Sequence, residues 1–303
     1  MLAKEGHTNN SQFPNSGSPT PNKILSMHIR FVAIGVVLVA VMALAIVSTQ
    51  STEREVSILI VDGTVVTMNG EGQIIENGAV AIDGSDIVAV GTTDDIQRQF
   101  RGRETINAAN HVVMPGLVNT HTHAPMVLYR GFADDLALMD WLTNYMFPAE
   151  AKTLSPDFVR VGTRLAALEM IRSGTTTYAD MYYFEEEIAR ETSAAGLRGV
   201  LGQTIIQFPV ADAPTPRHAL TRAEQFIQQF KDDPLITPAV APHAVYTLDG
   251  TTLTAARELS RKYGVPTLIH LAETRDEVKT AQERFKSSRS LQVVVDVDPL
   301  SMV

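Results

Sequence analysis

The sequence predicts an α/β protein in which a small β-rich segment precedes a longer series of parallel β/α units. Residues 56–112 contain short β-rich runs separated by Asn-Gly and Asp-Gly pairs, whereas strand and helix patterns alternate after Met114. The chain has 303 residues, 45% of them hydrophobic and 19% charged, so it is long enough to bury a large core.

Composition excludes several classes of function. Cysteine is absent, which rules out disulfides, thiolate metal sites and cysteine nucleophiles, so any metal must be held by histidine and carboxylate side chains. The net charge is −9 and the sequence contains no basic patch. Nucleic-acid binding therefore has no electrostatic support.

The N-terminal region divides into a polar and an apolar part. Residues 1–30 are rich in Asn, Ser, Pro and Thr and are predicted to be disordered. Residues 31–47 are uncharged and just long enough to cross a bilayer, so we expect a transmembrane anchor or a signal helix. A buried core helix is the alternative, but the segment lacks an amphipathic face. An anchor or a signal would make the protein membrane-anchored or exported.

A small β-sandwich domain is predicted over residues 56–112. Its β-rich runs are Ser57–Ile60, Thr64–Met68, Ala79–Ile82 and Ile87–Val90. The pairs Asp62-Gly63, Asn69-Gly70, Asn77-Gly78 and Asp83-Gly84 follow or separate these runs. Such pairs supply the positive φ angles of tight hairpins, so we expect turns at all four.

Five parallel strands are predicted after this domain, at residues 112–120, 175–180, 199–206, 236–241 and 266–270. Helices alternate with them. The clearest helix begins after the N-cap Ser155 and ends at Gly174. Its apolar face is formed by Phe158, Val161, Leu165, Leu168 and Ile171.

Two histidines end the first of these strands. Alternate residues of a strand point to the same face, so His121 and His123 can direct both imidazoles at one point. A buried, hydrogen-bonded pair is the alternative, but satisfying two adjacent neutral imidazoles is costly. The pattern therefore favours a metal site.

Three segments resemble the amidohydrolase superfamily: residues 114–150, Ala241–Thr247 (APHAVYT) and Ile269–Thr274 (IHLAET). The resemblance covers about residues 56–286 and is strongest to 5-methylthioadenosine/S-adenosylhomocysteine deaminases and related chlorohydrolases. It implies a TIM-type (β/α)₈ barrel. Only about five of the eight strands are present, so the sequence predicts an incomplete barrel over residues 113–286.

The resemblance also implies site residues. His270 would be the third metal ligand beside His121 and His123, and zinc is the expected ion, with Fe²⁺ and Mn²⁺ as alternatives. Glu273 matches the family's proton-transferring glutamate and would also contact the substrate. A surface glutamate at a helix start is the alternative role for Glu273.

Two further residues match substrate contacts of the family. His243 matches a substrate-binding histidine, and Glu150 matches a carboxylate that binds ribose hydroxyls. A hydrogen-bonded structural histidine and a solvated charge are the respective alternatives. Gln203 stands where some family members carry arginine, which weakens the case for carboxylate-bearing substrates such as S-adenosylhomocysteine.

The resemblance implies metal-dependent deamination of an adenine-type nucleoside, with dechlorination or deamination of another heterocycle as the alternative. Residues 287–303 resemble nothing in the family and are expected to be an aberrant tail. The family's fourth ligand, an aspartate after the eighth strand, has no counterpart, and Asp296 and Asp298 do not qualify for that role. We therefore expect impaired catalysis, or an inactive truncated product. The sequence does not predict an oligomeric state.

Overall fold

A computed structural model of the chain describes residues 53–285. These residues form two compact units that divide between Pro115 and Gly116. The apolar helix predicted at 31–47 and the tail at 287–303 lie outside the described residues, so both stay predictions. Between residues 53 and 285, no helix is long and apolar enough to cross a membrane.

The first unit is built on one five-stranded sheet in the order β3-β2-β1-β4, with β5 paired to β1. Its elements are β1 (Arg54–Val66), β2 (Ile74–Asp83), β3 (Asp86–Thr92), α1 (Thr93–Gln97), β4 (Phe100–Asn107) and β5 (Val112–Val113). Ile96 of α1 packs into a core that includes Val56 and Leu59 of β1. The described part of this unit is therefore one sheet with a short helix, and the β-sandwich domain over residues 56–112 stays a prediction.

Two of the four predicted turns are bulges inside long strands. Asp62-Gly63 lies within β1 and Asn77-Gly78 within β2, and Gly63 pairs with Gly78 at a break in the register. Asp62 and Asn77 have φ angles of 64° and 48°, so the positive φ is used for bulges and the prediction of turns was wrong here. Asn69-Gly70 and Asp83-Gly84 do connect strands, as predicted.

The second unit contains a parallel sheet in the order β6-β7-β8-β9. Its strands are β6 (Leu117–Thr122), β7 (Thr175–Tyr182), β8 (Arg198–Ile205) and β9 (Ile236–Pro242). The predicted strand 112–120 is divided, since Val112 and Val113 pair with β1 of the first unit. The break falls at Pro115, which has no N–H to donate to a ladder.

The predicted fifth strand, residues 266–270, is not a regular strand. It follows β9 through two isolated parallel bridges, Val240–Thr267 and Ala244–His270. The N–H of Leu268 donates to the carbonyl of Val240 at 3.0 Å, so the segment still occupies the position beside β9. This position brings His270 to the carboxyl edge of the sheet.

Helices connect and cover the strands of the second unit. In chain order they are α2 (Leu138–Asp140), α3 (Phe147–Thr153), α4 (Pro156–Arg172), α5 (Glu185–Ala195), α6 (Pro216–Phe230), α7 (Gly250–Tyr263) and α8 (Arg275–Phe285). A 3₁₀ segment, Ala124–Tyr129, follows β6, and a π-helical turn, Trp141–Met146, joins α2 to α3. Ser155 caps α4 by accepting the N–H of Phe158, as the sequence predicted.

Helix α4 buries a different face from the one that its large apolar residues suggest. Val161, Leu168 and Ile171 are about half exposed, whereas Val159, Gly162, Ala166 and Ala167 are among the buried residues. A Cβ on Gly162 would lie 2.6 Å from the carbonyl oxygen of Pro125. The small-residue face therefore packs closely on the 3₁₀ segment, a contact that larger side chains would prevent.

Candidate active site

The imidazoles of His121, His123 and His270 converge at the carboxyl edge of the parallel sheet. His121 belongs to β6, His123 follows that strand, and His270 lies beside the end of β9. One ligand atom from each residue lies within 4.8 Å of the other two. The structure thus brings together the three residues that the sequence predicted as metal ligands.

Backbone carbonyls fix the orientation of two of these rings. Nδ1 of His123 lies 2.7 Å from the carbonyl oxygen of Met181, and Nδ1 of His270 lies 2.9 Å from that of His243. A carbonyl oxygen only accepts, so each Nδ1 carries the hydrogen and each neutral ring has its lone pair on Nε2. These two Nε2 atoms lie 3.1 Å apart.

The donor set suits a divalent cation. Two facing lone pairs repel each other unless a proton or a cation lies near both. Burial lowers the pKa of His123 to about 4 and also lowers the pKa of His121, which keeps the imidazoles of these two residues neutral near pH 7. Neutral imidazole is the form that coordinates metals, and three such ligands fit Zn²⁺ as well as Fe²⁺ or Mn²⁺.

A buried carboxyl group, that of Asp180, contacts the residues on either side of His123. Oδ1 of Asp180, in β7, accepts the N–H of Ala124 at 2.6 Å and lies 2.5 Å from the hydroxyl of Thr122. Asp180 is 1% exposed, and burial raises its pKa to about 7. The residues on either side of His123 are therefore both tied to one side-chain oxygen.

His243 lies beside the three-histidine cluster. Its ring centroid is 4.9 Å from that of His270, and its Nδ1 lies 2.9 Å from the hydroxyl of Thr247. Burial lowers the pKa of His243 to about 3, so the ring is neutral near pH 7. A neutral ring at this position can exchange hydrogen bonds with a bound molecule without adding a charge.

Glu273 is presented by a short loop that a second glutamate organises. The carboxylate of Glu277 accepts the N–H of Ala272 at 2.8 Å and the N–H of Glu273 at 2.6 Å. Ala272 has a φ angle of 57°, a strained value for a residue with a Cβ. The Glu273 side chain lies near the hydroxyl of Tyr246, which is 3.5 Å from its Oε2.

Glu150 is buried and paired with a tyrosine. It is 8% exposed, and its Oε1 accepts the hydroxyl of Tyr182 at 2.6 Å. Burial raises the pKa of Glu150 to about 7. The structure therefore does not support the solvated charge that was the alternative for this residue.

Most of these side chains line one cavity in the second unit, whose empty space, counted out to open solvent, is about 530 Å³. Its polar lining includes His123, His243, His270, Glu150, Glu273, Tyr182 and Tyr246. Its apolar lining includes Met126, Leu138, Trp141, Leu142, Met146 and Phe147. A concave site with an apolar wall and few polar groups is typical of small-molecule binding.

Other predicted residues lie elsewhere. Gln203 is buried and donates to Oδ2 of Asp212 at 2.9 Å, and it is not among the residues that line the cavity. Asp296 and Asp298 lie outside the described residues.

Sequence reasoning missed four residues of the site: Asp180, Tyr182, Tyr246 and Glu277. Asp180 and Tyr182 fall near the end of a predicted strand, where parallel sheets place functional groups, and Tyr246 lies in the APHAVYT segment. These sequence positions could have identified the three residues as members of the site. Glu277 follows Thr274 by three residues, the spacing of a capping box, and the hydroxyl of Thr274 does accept its N–H.

Comparison with known proteins places these observations in a family. The model of the amidohydrolase family matches residues 112–299, and so extends into the segment that the sequence analysis set apart as a tail. The chain is 45% identical over 232 residues to 5-methylthioadenosine/S-adenosylhomocysteine deaminase 1 of Syntrophus aciditrophicus, covering 77% of this chain and 52% of that protein. It is 42% identical to the 5′-deoxyadenosine deaminase of Methanocaldococcus jannaschii, covering 72% of this chain and 50% of that protein.

Solved structures agree with the fold. An adenosine deaminase from Xanthomonas campestris with bound zinc superposes with a TM-score of 0.77 at 38% identity, over 81% of this chain and 56% of that one. A triazine hydrolase from Arthobacter aurescens gives a TM-score of 0.69 at 20% identity, over 79% of this chain and 57% of that one, which supports the fold alone.

The chain spans about half the length of the relatives that it matches. The family match nevertheless covers the four strands of the second unit, the three clustered histidines, and the cavity residues Glu150 and Glu273. The chain belongs to the amidohydrolase family, and its similarity lies in the branch of 5-methylthioadenosine/S-adenosylhomocysteine deaminases.

Proposed function

We propose that the protein is a zinc-dependent hydrolase that deaminates an adenine-type nucleoside. One observation carries the proposal: a single cavity is lined by histidines of the three-histidine cluster, by Glu273 and by the Glu150–Tyr182 pair. The names of the similar proteins, which are deaminases of adenosine derivatives, support the same reaction.

The metal end of the cavity supplies the hydrolytic chemistry. A divalent ion held by His121, His123 and His270 would lower the pKa of a bound water and polarise the carbon under attack. Glu273 can hold a proton and deliver it to a ring nitrogen of the substrate, which favours departure of the amine. His243, being neutral, can orient the heterocycle by a hydrogen bond.

Glu150 and Tyr182 favour a nucleoside over a bare heterocycle. An ionised carboxylate can accept both hydroxyls of a vicinal diol, and the hydroxyl of Tyr182 fixes Oε1 of Glu150 in place. Trp141, Met146 and Phe147 offer an apolar surface to the rest of the substrate. A chlorotriazine has no diol, so a carboxylate in this position would gain nothing by binding it.

The test is ammonia release from 5-methylthioadenosine, adenosine and S-adenosylhomocysteine by the zinc-loaded chain, with chloride release from a chlorotriazine as the second arm. We expect zinc-dependent ammonia release that Glu273→Gln slows by about 10²–10⁴-fold, and a higher KM for the nucleosides in Glu150→Gln. Chloride release in place of ammonia release would support the chlorohydrolase alternative. Stoichiometric zinc without turnover on either substrate class would support the inactive product.

A further inference from the structure

Two residues at the end of strand β7, Asp180 and Met181, contact residues 122–124 at the end of the neighbouring strand β6. Thr122 of β6 and Asp180 of β7 are register partners in the parallel ladder. Oδ1 of Asp180 lies 2.5 Å from the hydroxyl of Thr122 and accepts the N–H of Ala124 at 2.6 Å. The next residue of β7, Met181, accepts the Nδ1–H of His123 through its carbonyl oxygen at 2.7 Å.

Asp180 acts where the chain leaves β6. The 3₁₀ segment begins at Ala124, and His123 at its N-cap makes no side-chain capping bond. The N–H of Ala124 is one of the donors that a helix start leaves unpaired, and Asp180 satisfies it from the adjacent strand. The same oxygen therefore fixes the backbone after His123 and the side chain before it.

This arrangement costs stability. Asp180 is 1% exposed, and its Oδ2 has no hydrogen-bond partner among the residues that the structure describes. An unpaired buried carboxyl oxygen is unfavourable, and such a group in a folded protein calls for a specific explanation. The explanation here is that Asp180 fixes the positions of Thr122 and Ala124, and through them the orientation of the adjacent histidines.

We propose that Asp180 is a positioning residue that preorganises His121 and His123 for metal binding without contacting the metal or the substrate. The inference rests on the metal site proposed above. Outer residues that orient metal-binding histidines commonly change metal affinity by about 10–100-fold when they are replaced. Such residues usually bind the imidazole itself. Asp180 instead contacts the N–H of Ala124 and the hydroxyl of Thr122, the residues on either side of His123.

Asp212 provides a matched control. Its side chain is fully buried, it accepts the N–H of Phe184 at 2.8 Å, and its Oδ1 has no partner in the described part of the chain. Its contacts with Phe184, Gln203 and Arg222 involve neither residues 121–124 nor the peptide group between Met181 and Tyr182. A general effect of removing a buried carboxyl group would therefore be the same at Asp212 and at Asp180.

The experiment measures zinc affinity by competition with a chromophoric chelator, and the visible spectrum of the Co²⁺-substituted protein, for the parent chain, Asp180→Ala, Asp180→Asn and Asp212→Ala. We expect Asp180→Ala to weaken zinc binding by about 10–100-fold and to shift the Co²⁺ spectrum. Asp180→Asn keeps one acceptor and should lose less. Asp212→Ala should keep the parent's affinity, although its thermal unfolding temperature falls.

Thr122→Val keeps the β-branched shape but removes the hydroxyl, which contacts Oδ1 of Asp180 and also donates to the carbonyl of Ala179 at 2.8 Å. It is the second variant if Asp180→Ala does not fold. Zinc affinities of Asp180→Ala and Thr122→Val within about threefold of the parent, or an equal loss in Asp212→Ala, would overturn the inference. A parent chain that binds no zinc would contradict the proposed function itself, and with it this inference.

Discussion

The two sides of the candidate site are anchored by different means. On the first side, His121 and His123 stand at the end of β6, which pairs with β7 along a parallel ladder. On the second side, His270 and Glu273 follow a segment that isolated bridges join to β9. Regular sheet structure positions the first pair, whereas the second pair depends on individual hydrogen bonds.

Each side nevertheless uses one buried carboxyl group to hold two donors. Asp180 is 58 residues away from Thr122, so it ties two strands together. Glu277 is five residues or fewer from Ala272 and Glu273, so it shapes a local loop around a residue with a φ angle of 57°. Because the two sides are held by different carboxyl groups, the pair His121 and His123 can be disturbed separately from Glu273, the proposed proton-transferring residue.

The largest effect should come from removing a ligand on the first side. Replacing a residue that only orients a ligand typically costs up to about 100-fold in metal affinity. We expect His123→Ala to lose more zinc affinity than this, because it removes a coordinating atom. His218→Ala, at an exposed histidine of α6, is the control and should bind zinc normally. Zinc titration checks both, and retained affinity in His123→Ala would exclude His123 as a ligand.

Glu273→Gln should separate the two sides of the site. The amide cannot transfer a proton, so we expect kcat to fall by about 10²–10⁴-fold while zinc affinity stays at the parent value. Steady-state kinetics and zinc titration on the same preparation measure the two quantities. A parallel fall in kcat and in zinc affinity would show that Glu273 also supports the metal site, and the comparison would fail.

Glu277→Ala should have a smaller effect that is confined to the second side. It leaves the N–H groups of Ala272 and Glu273 unpaired, so the free energy of unfolding should drop by about 1–3 kcal/mol. We expect kcat to fall with unchanged zinc affinity, because Glu273 is no longer held. Glu283→Ala, at an exposed position of the same helix, is the control for urea unfolding and kinetics. A change in zinc affinity alone would be the contrary result.

The last prediction concerns the pH dependence of stability at Glu150, which should leave zinc affinity unchanged. Burial raises the pKa of Glu150 from 4.5 to about 7 in the folded state, so the protonated form favours folding. That contribution is complete below the unfolded pKa and is lost as pH rises through about 7. Relative to Glu150→Gln, the parent should therefore lose up to about 3 kcal/mol of unfolding free energy between pH 4.5 and pH 8.

Urea unfolding of the two proteins across this pH range measures the difference directly, since other titrating groups are common to both. Parallel pH profiles would show that the pKa of Glu150 is the same in the folded and the unfolded protein, contrary to the structure.

Local sequence patterns predicted the parts of the site that local structure determines. The alternation of His121 and His123 on one strand and the N-cap at Ser155 needed only neighbouring residues. His270 and Glu273 were identified through the family resemblance, because nothing local distinguishes them. Asp180 and Tyr182 were missed because their partners lie 58 and 32 residues away in the chain.

The errors in the fold have a similar cause. The apolar run at 112–120 gave no sign that Val112 and Val113 pair with one sheet and Leu117–Thr122 with another. Hydrophobic periodicity also marked the wrong face of α4. The close contact at Gly162 selects the small-residue face, and that contact depends on the 3₁₀ segment before it.

X-ray absorption spectroscopy of the zinc-loaded chain tests the central claim most directly, because it counts the nitrogen ligands around the metal. The structure predicts one zinc per chain with about three imidazole nitrogens at ~2.0–2.1 Å, reduced by one in His270→Ala. Stoichiometric zinc with no imidazole scattering, or a spectrum that His270→Ala leaves unchanged, would contradict the three-histidine site.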